Sequence, residues 1–126
     1  MKVEDLDVLR PEPNYIKIGG KEIDVSFIPC GITFDIDTIL QELGTMTQED
    51  IKTTPEKTKR AFELSIELCA TFCKHSYPEM DEGWFYKNTD ALQVKAFAES
   101  IKDALTRAYA GIESYPNAKT PKKKSR

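Results

Sequence analysis

The sequence predicts an α+β domain that is mostly helical: an N-terminal β-hairpin of two or three strands packed with two long helices and one or two short ones. Three observations carry this reading. Residues 16–27 alternate apolar and polar side chains around a Gly19-Gly20 pair, the pattern of a hairpin with one buried face. From Pro55 to about residue 110 the apolar side chains instead recur every three or four positions, the period of a helix. The strands all come before the long helices, so there is no alternating strand–helix series of the kind that builds a parallel sheet.

The elements follow in order. Residues 1–13 are polar and close on Arg10-Pro11-Glu12-Pro13; two prolines fix φ and withhold backbone donors, which favours an extended arm. Ile16 and Ile18 on one side of the turn, and Ile23, Val25 and Phe27 on the other, fall on a common face. Lys17, Lys21, Glu22, Asp24 and Ser26 are left for water. Glycine supplies the positive φ that a tight hairpin turn demands. Pro29-Cys30-Gly31 then breaks the second strand. Asp35 is expected to cap a short helix whose inner face holds Ile36, Ile39, Leu40 and Leu43, with Gly44 just past its end.

Thr47 to Asp50 signals one further helical turn. Thr54-Pro55-Glu56 combines a hydroxyl cap, a proline at the first helical position and an early acid. That helix is expected over about 55–76, ended by Pro78, with Phe62, Ile66, Cys69 and Cys73 as its stripe and Ala61, Leu68 and Phe72 beside it. A loop over 79–86 carries three consecutive aromatics. Asn88 or Thr89 then caps a last helix with Leu92, Phe97, Ile101, Ala104, Leu105 and Ala108 on its inner face, fading at Gly111. The domain organisation is an arm at 1–13, one globular domain at 14–110, and a disordered basic tail at 111–126.

Composition narrows the function. The chain has 126 residues, 40% apolar and 31% charged, which suits one domain with one core. It has no run of apolar residues long enough to span a membrane, and Met1 to Asp5 lacks the apolar run of a signal peptide. Five basic residues fall in 119–126; the other 118 residues hold 13 basic and 21 acidic side chains, a charge of -8. Such an acidic body argues against a nucleic-acid-binding face. Three cysteines without paired spacing read as free thiols in a reducing compartment. The expected setting is cytoplasmic, with no membrane partner.

Three constellations could hold chemistry. Gly31 to Leu40 contains Asp35-Ile36-Asp37 and resembles the Asp-x-Asp motif of haloacid-dehalogenase-type phosphatases. Those enzymes need a parallel α/β domain around the motif, which this chain lacks; a capping Asp35 with Asp37 in the first helical turn accounts for both acids. Cys69 and Cys73, four apart, share a helix face, but His75 lies about 240° around from Cys69 by helical geometry, and Cys30 is the sole other thiol. Structural zinc needs four ligands, so the two helical thiols are read as small core residues. A Cys30/His75 nucleophile pair has no orienting motif. The reading is of a protein that is not an enzyme, with no catalytic, cofactor or metal residues.

Trp84-Phe85-Tyr86 is the least generic feature. Three consecutive side chains cannot all enter one small core, and aromatic residues are favoured anchors at interfaces. These three are the expected protein-binding residues.

The segment Ile16-Lys17-Ile18-Gly19-Gly20-Lys21-Glu22-Ile23-Asp24-Val25 resembles the opening hairpin of the tail assembly chaperones of tailed phages and prophages. Trp84-Phe85-Tyr86-Lys87-Asn88-Thr89-Asp90-Ala91-Leu92 is similar to that family's aromatic–Asn–x–Asp–x–Leu opening of the last helix. The resemblance spans roughly residues 14–110 and omits the Arg10–Pro13 arm and the cysteines. It implies a protein that binds the long tape-measure protein in the bacterial cytoplasm, helps tail-tube subunits polymerise around it, self-associates, and is absent from the finished virion. It also implies a ribosomal frameshift near the end of the gene, where Lys122-Lys123-Lys124 would be encoded by a slippery stretch. The competing readings are a small acidic phage inhibitor of a host defence nuclease and a structural head–tail component.

Overall fold

The computed structural model describes residues 3–114, which form an antiparallel hairpin followed by five helices. The α+β, mostly helical class expected from the sequence is the one observed. The hairpin pairs β1 (Tyr15–Ile18) with β2 (Lys21–Asp24), Ile16 opposite Ile23 and Ile18 opposite Lys21. Gly19 and Gly20 have φ of +59° and +79°, the mirror-image turn whose hand matches strand twist. The sheet has two strands among the described residues.

Ile18, Ile23 and Val25 are buried and Ile16 is half-buried on the face the alternation assigns to the core. Lys21 departs from expectation. It stands opposite Ile18, so it shares the inner face, and its stem is half-buried. Its ammonium escapes at the rim, 3.2 Å from the Glu79 carboxylate and 5.1 Å from the centre of the Tyr77 ring. A lysine can occupy an edge position of an apolar face because its charged end reaches water beyond the stem.

The arm is exposed and carries one short 3-10 turn, Leu6–Leu9, started by the Asp5 carboxylate accepting from the Asp7 amide. Arg10 ties it down, its guanidinium 3.8 Å above the Phe27 ring.

The first helix is longer than expected. α1 spans Cys30–Gly44 and begins directly after Pro29, so Asp35 is an exposed residue of its second turn rather than its cap. Ile32, Ile36 and Ile39 form its buried stripe; the apolar period extends one turn further back than the Asp35 signal. Pro29 holds an extended backbone and makes a sharp start. α2 (Gln48–Thr53) has the reciprocal cap its sequence advertises: Asp50 N–H donates to the Thr47 hydroxyl oxygen and the Asp50 carboxylate accepts from the Thr47 amide.

α3 (Pro55–Cys73) starts at the expected proline, but Thr54 makes no side-chain cap; its carbonyl accepts from Lys57 and Thr58 instead. The helix stops at Cys73, three residues short of expectation, and a turn through His75 and Ser76 leads to Pro78. Ala61, Leu64, Ile66, Leu68, Cys69, Phe72 and Cys73 are all buried. At 100° per residue these positions cover more than half the helix circumference, which makes α3 the central helix, packed against α1, α2, α4 and α5. Each fully buried Leu or Ile there contributes roughly 1.5–3 kcal/mol by removal from water. At the surface Arg60 bridges α3 to α1 through two hydrogen bonds to Glu42, at 2.9 and 3.0 Å. That pairing holds the Glu42 carboxyl below its ordinary pKa.

The stretch expected as an aromatic loop is a helix, α4 (Glu82–Asn88), capped by Asp81, which accepts from the Trp84 amide at 2.9 Å. The last helix, α5 (Ala91–Ser114), is started by Asp90 rather than Asn88 or Thr89. The Asp90 carboxylate accepts from the Gln93 amide, and the Gln93 side chain accepts in return from the Asp90 amide. Asn88 and Thr89 instead finish α4. Val94, Phe97, Ile101, Ala104 and Leu105 are buried on α5, whereas Leu92 (74% exposed) and Ala108 face out. The helix runs past Gly111 to Ser114; the rest of the expected tail, with Lys122, Lys123 and Lys124, lies outside the described residues. No helix among the described residues is long and apolar enough to cross a membrane.

Candidate functional site

The three aromatics expected to bind a partner sit on α4 at consecutive helical positions, 100° apart. That spacing sends each in a different direction. Phe85 is fully buried and lies 6.1 Å from Phe97 between ring centres. Phe97 in turn meets Phe72 edge to face at 6.0 Å. Phe85 is therefore core, joining α4 to α3 and α5, and cannot touch a partner directly.

Trp84 is half-buried, edge to face with Phe85 at 5.0 Å. Its indole lies against the hairpin turn so closely that a Cβ added to Gly19 would fall 2.5 Å from the ring. Two segments far apart in the chain, the Gly-Gly turn and the aromatic trio, thus pack together, and glycine at position 19 is what allows it.

Tyr86 is the member that faces water, 53% exposed. It meets Phe62 of α3 edge to face, ring centres 6.3 Å apart, and Phe62 is itself 37% exposed. Burial pushes the Tyr86 phenol above its ordinary pKa, helped by the negative charges of Glu63 and Glu82. The site is an exposed aromatic pair rimmed by carboxylates, with Tyr86 following the buried Phe85 on α4 and Phe62 following the buried Ala61 on α3. Phe62 was expected on the inner stripe. Its helical angle does match that stripe and Ala61 and Leu64 beside it are buried, but periodicity reports direction around an axis and not which neighbouring element covers a position.

The other candidate residues disperse. Asp35 and Asp37 are 200° apart on α1 and do not converge; Asp37 accepts from the Gln41 side chain at 2.8 Å. Cys69 and Cys73 are buried thiols, as expected. Burial pushes the Cys69 thiol far up, with the neighbouring Cys73 adding to it, and pushes Cys73 up to about 12. The Cys69 thiol points to the Val94 carbonyl, 3.8 Å away. Cys30 and His75 are both exposed, and the His75 ring lies beside Gly31, at the start of α1. Among the described residues no three His, Cys, Asp or Glu side chains are grouped to hold a metal ion.

A polar hollow lies where Arg10, Asp24, Phe27, His75 and Ser76 meet. Asp24 accepts from the Ser26 hydroxyl at 2.6 Å and from the Ser26 and Asn14 amides. Burial pulls the Asp24 carboxyl upward, but those hydrogen bonds and the Arg10 charge outweigh it and hold its pKa below the ordinary value. The carboxylate organises the hairpin end and the arm's attachment.

No protein-family model, curated protein or solved structure matches the chain.

Proposed function

We propose that this chain is a non-enzymatic phage tail assembly chaperone, which binds the tape-measure protein, assists tail-tube polymerisation and leaves before the virion is complete. The observation that carries this reading is the exposed Phe62–Tyr86 pair with its acidic rim. An amphipathic helix of a long client can lay apolar side chains over the two rings while its basic residues meet Glu63 and Glu82. A pair of half-exposed aromatics is a modest anchor, which suits a chaperone that tube subunits must displace. Both rings stand on helices whose other side is buried in the core, so binding orders little new backbone. The hairpin and α4 segments that resemble the family are also the two that Trp84 joins in space.

The test is a pull-down of the tagged chain from host cells producing its full neighbouring gene set. A very long helical chain recovered with tube subunits is the expected result. The double variant Phe62→Ala with Tyr86→Ala should lose that client while keeping its far-UV helicity. Recovery of a host nuclease, or presence of the chain in purified particles, refutes the proposal in favour of an inhibitor or a virion component.

A further inference from the structure

We propose that two copies of this chain associate about a two-fold axis by pairing their β1 strands, making one four-stranded sheet across the dimer. The hairpin has two edges, and the β2 edge is partly covered. On the β2 side the Tyr77 hydroxyl donates to the Glu22 carbonyl. On the β1 side the backbone groups of Tyr15 and Lys17 point away from β2. This follows from the alternation of hydrogen-bonded pairs, which the Val25 amide to Asn14 carbonyl bond extends. They have no backbone partner among the described residues. Free edges of this kind are pairing templates unless blocked. Pro11 and Pro13 fence the chain just before β1 and so limit pairing to this short strand.

The residues on this edge suit a second copy. With the axis through Ile16, Tyr15 faces Lys17 of the second copy and Lys17 faces its Tyr15, giving four backbone hydrogen bonds. On the outer face one row then reads Glu22, Lys17, Tyr15, Asp24 across the two copies, because Lys17 already stands opposite Glu22 and Tyr15 opposite Asp24. No like charges adjoin in that row, and each lysine lies between a carboxylate and an aromatic ring. On the inner face the central row is Ile23, Ile16, Ile16, Ile23, which is wholly apolar.

The layer beneath accepts this arrangement. A groove of about 180 Å³ runs between the β1 edge and α5, walled on the helix side by Gln93, Ala96, Phe97 and Ser100. Ala96 and Ser100 are small, and the Ser100 hydroxyl is turned back to the Ala96 carbonyl at 3.2 Å. Two α5 helices can therefore approach to about 8 Å beneath the joined sheet. The dimer uses the hairpin edge and α5, leaving Phe62 and Tyr86 of each copy for a client.

Sedimentation equilibrium of the full chain should give a mass rising with concentration to twice the monomer's. Ala96→Arg changes an exposed helix position without disturbing the core, and should weaken association about tenfold or more while helicity is retained. Register is read by cysteine pairing in a Cys30→Ser background. Tyr15→Cys mixed with Lys17→Cys should form a disulfide-linked dimer under mild oxidation, whereas either variant alone should not, since opposed strand positions lie within bridging distance. A monomer at every concentration overturns the proposal, as does a dimer that Ala96→Arg leaves intact or equal cross-linking in the single variants. A monomer that instead captures an extended client peptide on β1 would reassign the edge to that client.

Discussion

Adding one methyl group at Gly19 tests how the hairpin is held to the helices. Gly19 and Gly20 both have positive φ, so alanine at either incurs left-handed backbone strain of about 1–2 kcal/mol. They differ in surroundings. At Gly20 a Cβ meets nothing within 4 Å, while at Gly19 it falls 2.5 Å from the Trp84 ring. The ring is half-buried and wedged against Phe85, so it must shift within a packed site, which costs roughly a further 1–3 kcal/mol. Gly20→Ala should therefore destabilise by about 1–2 kcal/mol and Gly19→Ala by about 2–5 kcal/mol. Urea unfolding followed by far-UV circular dichroism measures both. In a Trp84→Ala background the Gly19→Ala penalty should fall to that of Gly20→Ala, because the clash is gone and only backbone strain remains. Equal penalties for the two glycines, or a Gly19→Ala penalty unchanged without the indole, would refute the packing of turn on helix.

The aromatic trio should divide by energy as it does by position. Phe85→Ala should cost about 3–5 kcal/mol, as for other buried phenylalanines, while the exposed Tyr86→Ala should shift stability far less by the same unfolding assay. Thiol titration with Ellman's reagent near pH 8 should find one fast cysteine per chain, the exposed Cys30. Cys69 and Cys73 should react only on unfolding, since both are buried with raised pKa values. Asp24 has a folded pKa below its ordinary 3.8, so its contribution is full above that value and is lost as pH falls through the folded one. Asp24→Asn should accordingly be less stable than the parent at neutral pH, with the gap in melting temperature closing as the pH drops below about 4; a constant gap would count against the assignment.

Local sequence by itself determined a good deal of this protein. The hairpin was legible because a Gly-Gly pair leaves few alternatives to a tight turn and period-two alternation fixes which face is buried. The Thr47–Asp50 box was legible because capping depends on a neighbour three residues away, and the Pro55 start because the fixed φ of proline suits the first helical position. The fold class followed from the order of those signals, and the cysteines at 69 and 73 were readable as core from their spacing. Where two local signals compete, the local pattern does not choose between them. Asp35 looked like a cap, yet the Ile32-Ile36-Ile39 stripe and Pro29 start α1 earlier. Asn88 and Thr89 looked like caps, yet only Asp90 has a Gln93 to reciprocate.

The site was decided by tertiary structure. That Trp84-Phe85-Tyr86 forms a helical turn, and so splits into wedge, core and surface, depends on Asp81 capping a seven-residue helix too short to stand without the core behind Phe85. Phe62 joins Tyr86 only because α3 and α4 pack there, and Lys21 shares the apolar face because the two-residue turn pairs it with Ile18. Periodicity fixes an angle around one element. Depth along it, and which neighbour covers it, are set by contacts between residues distant in the chain, and those exist only once the helices have packed.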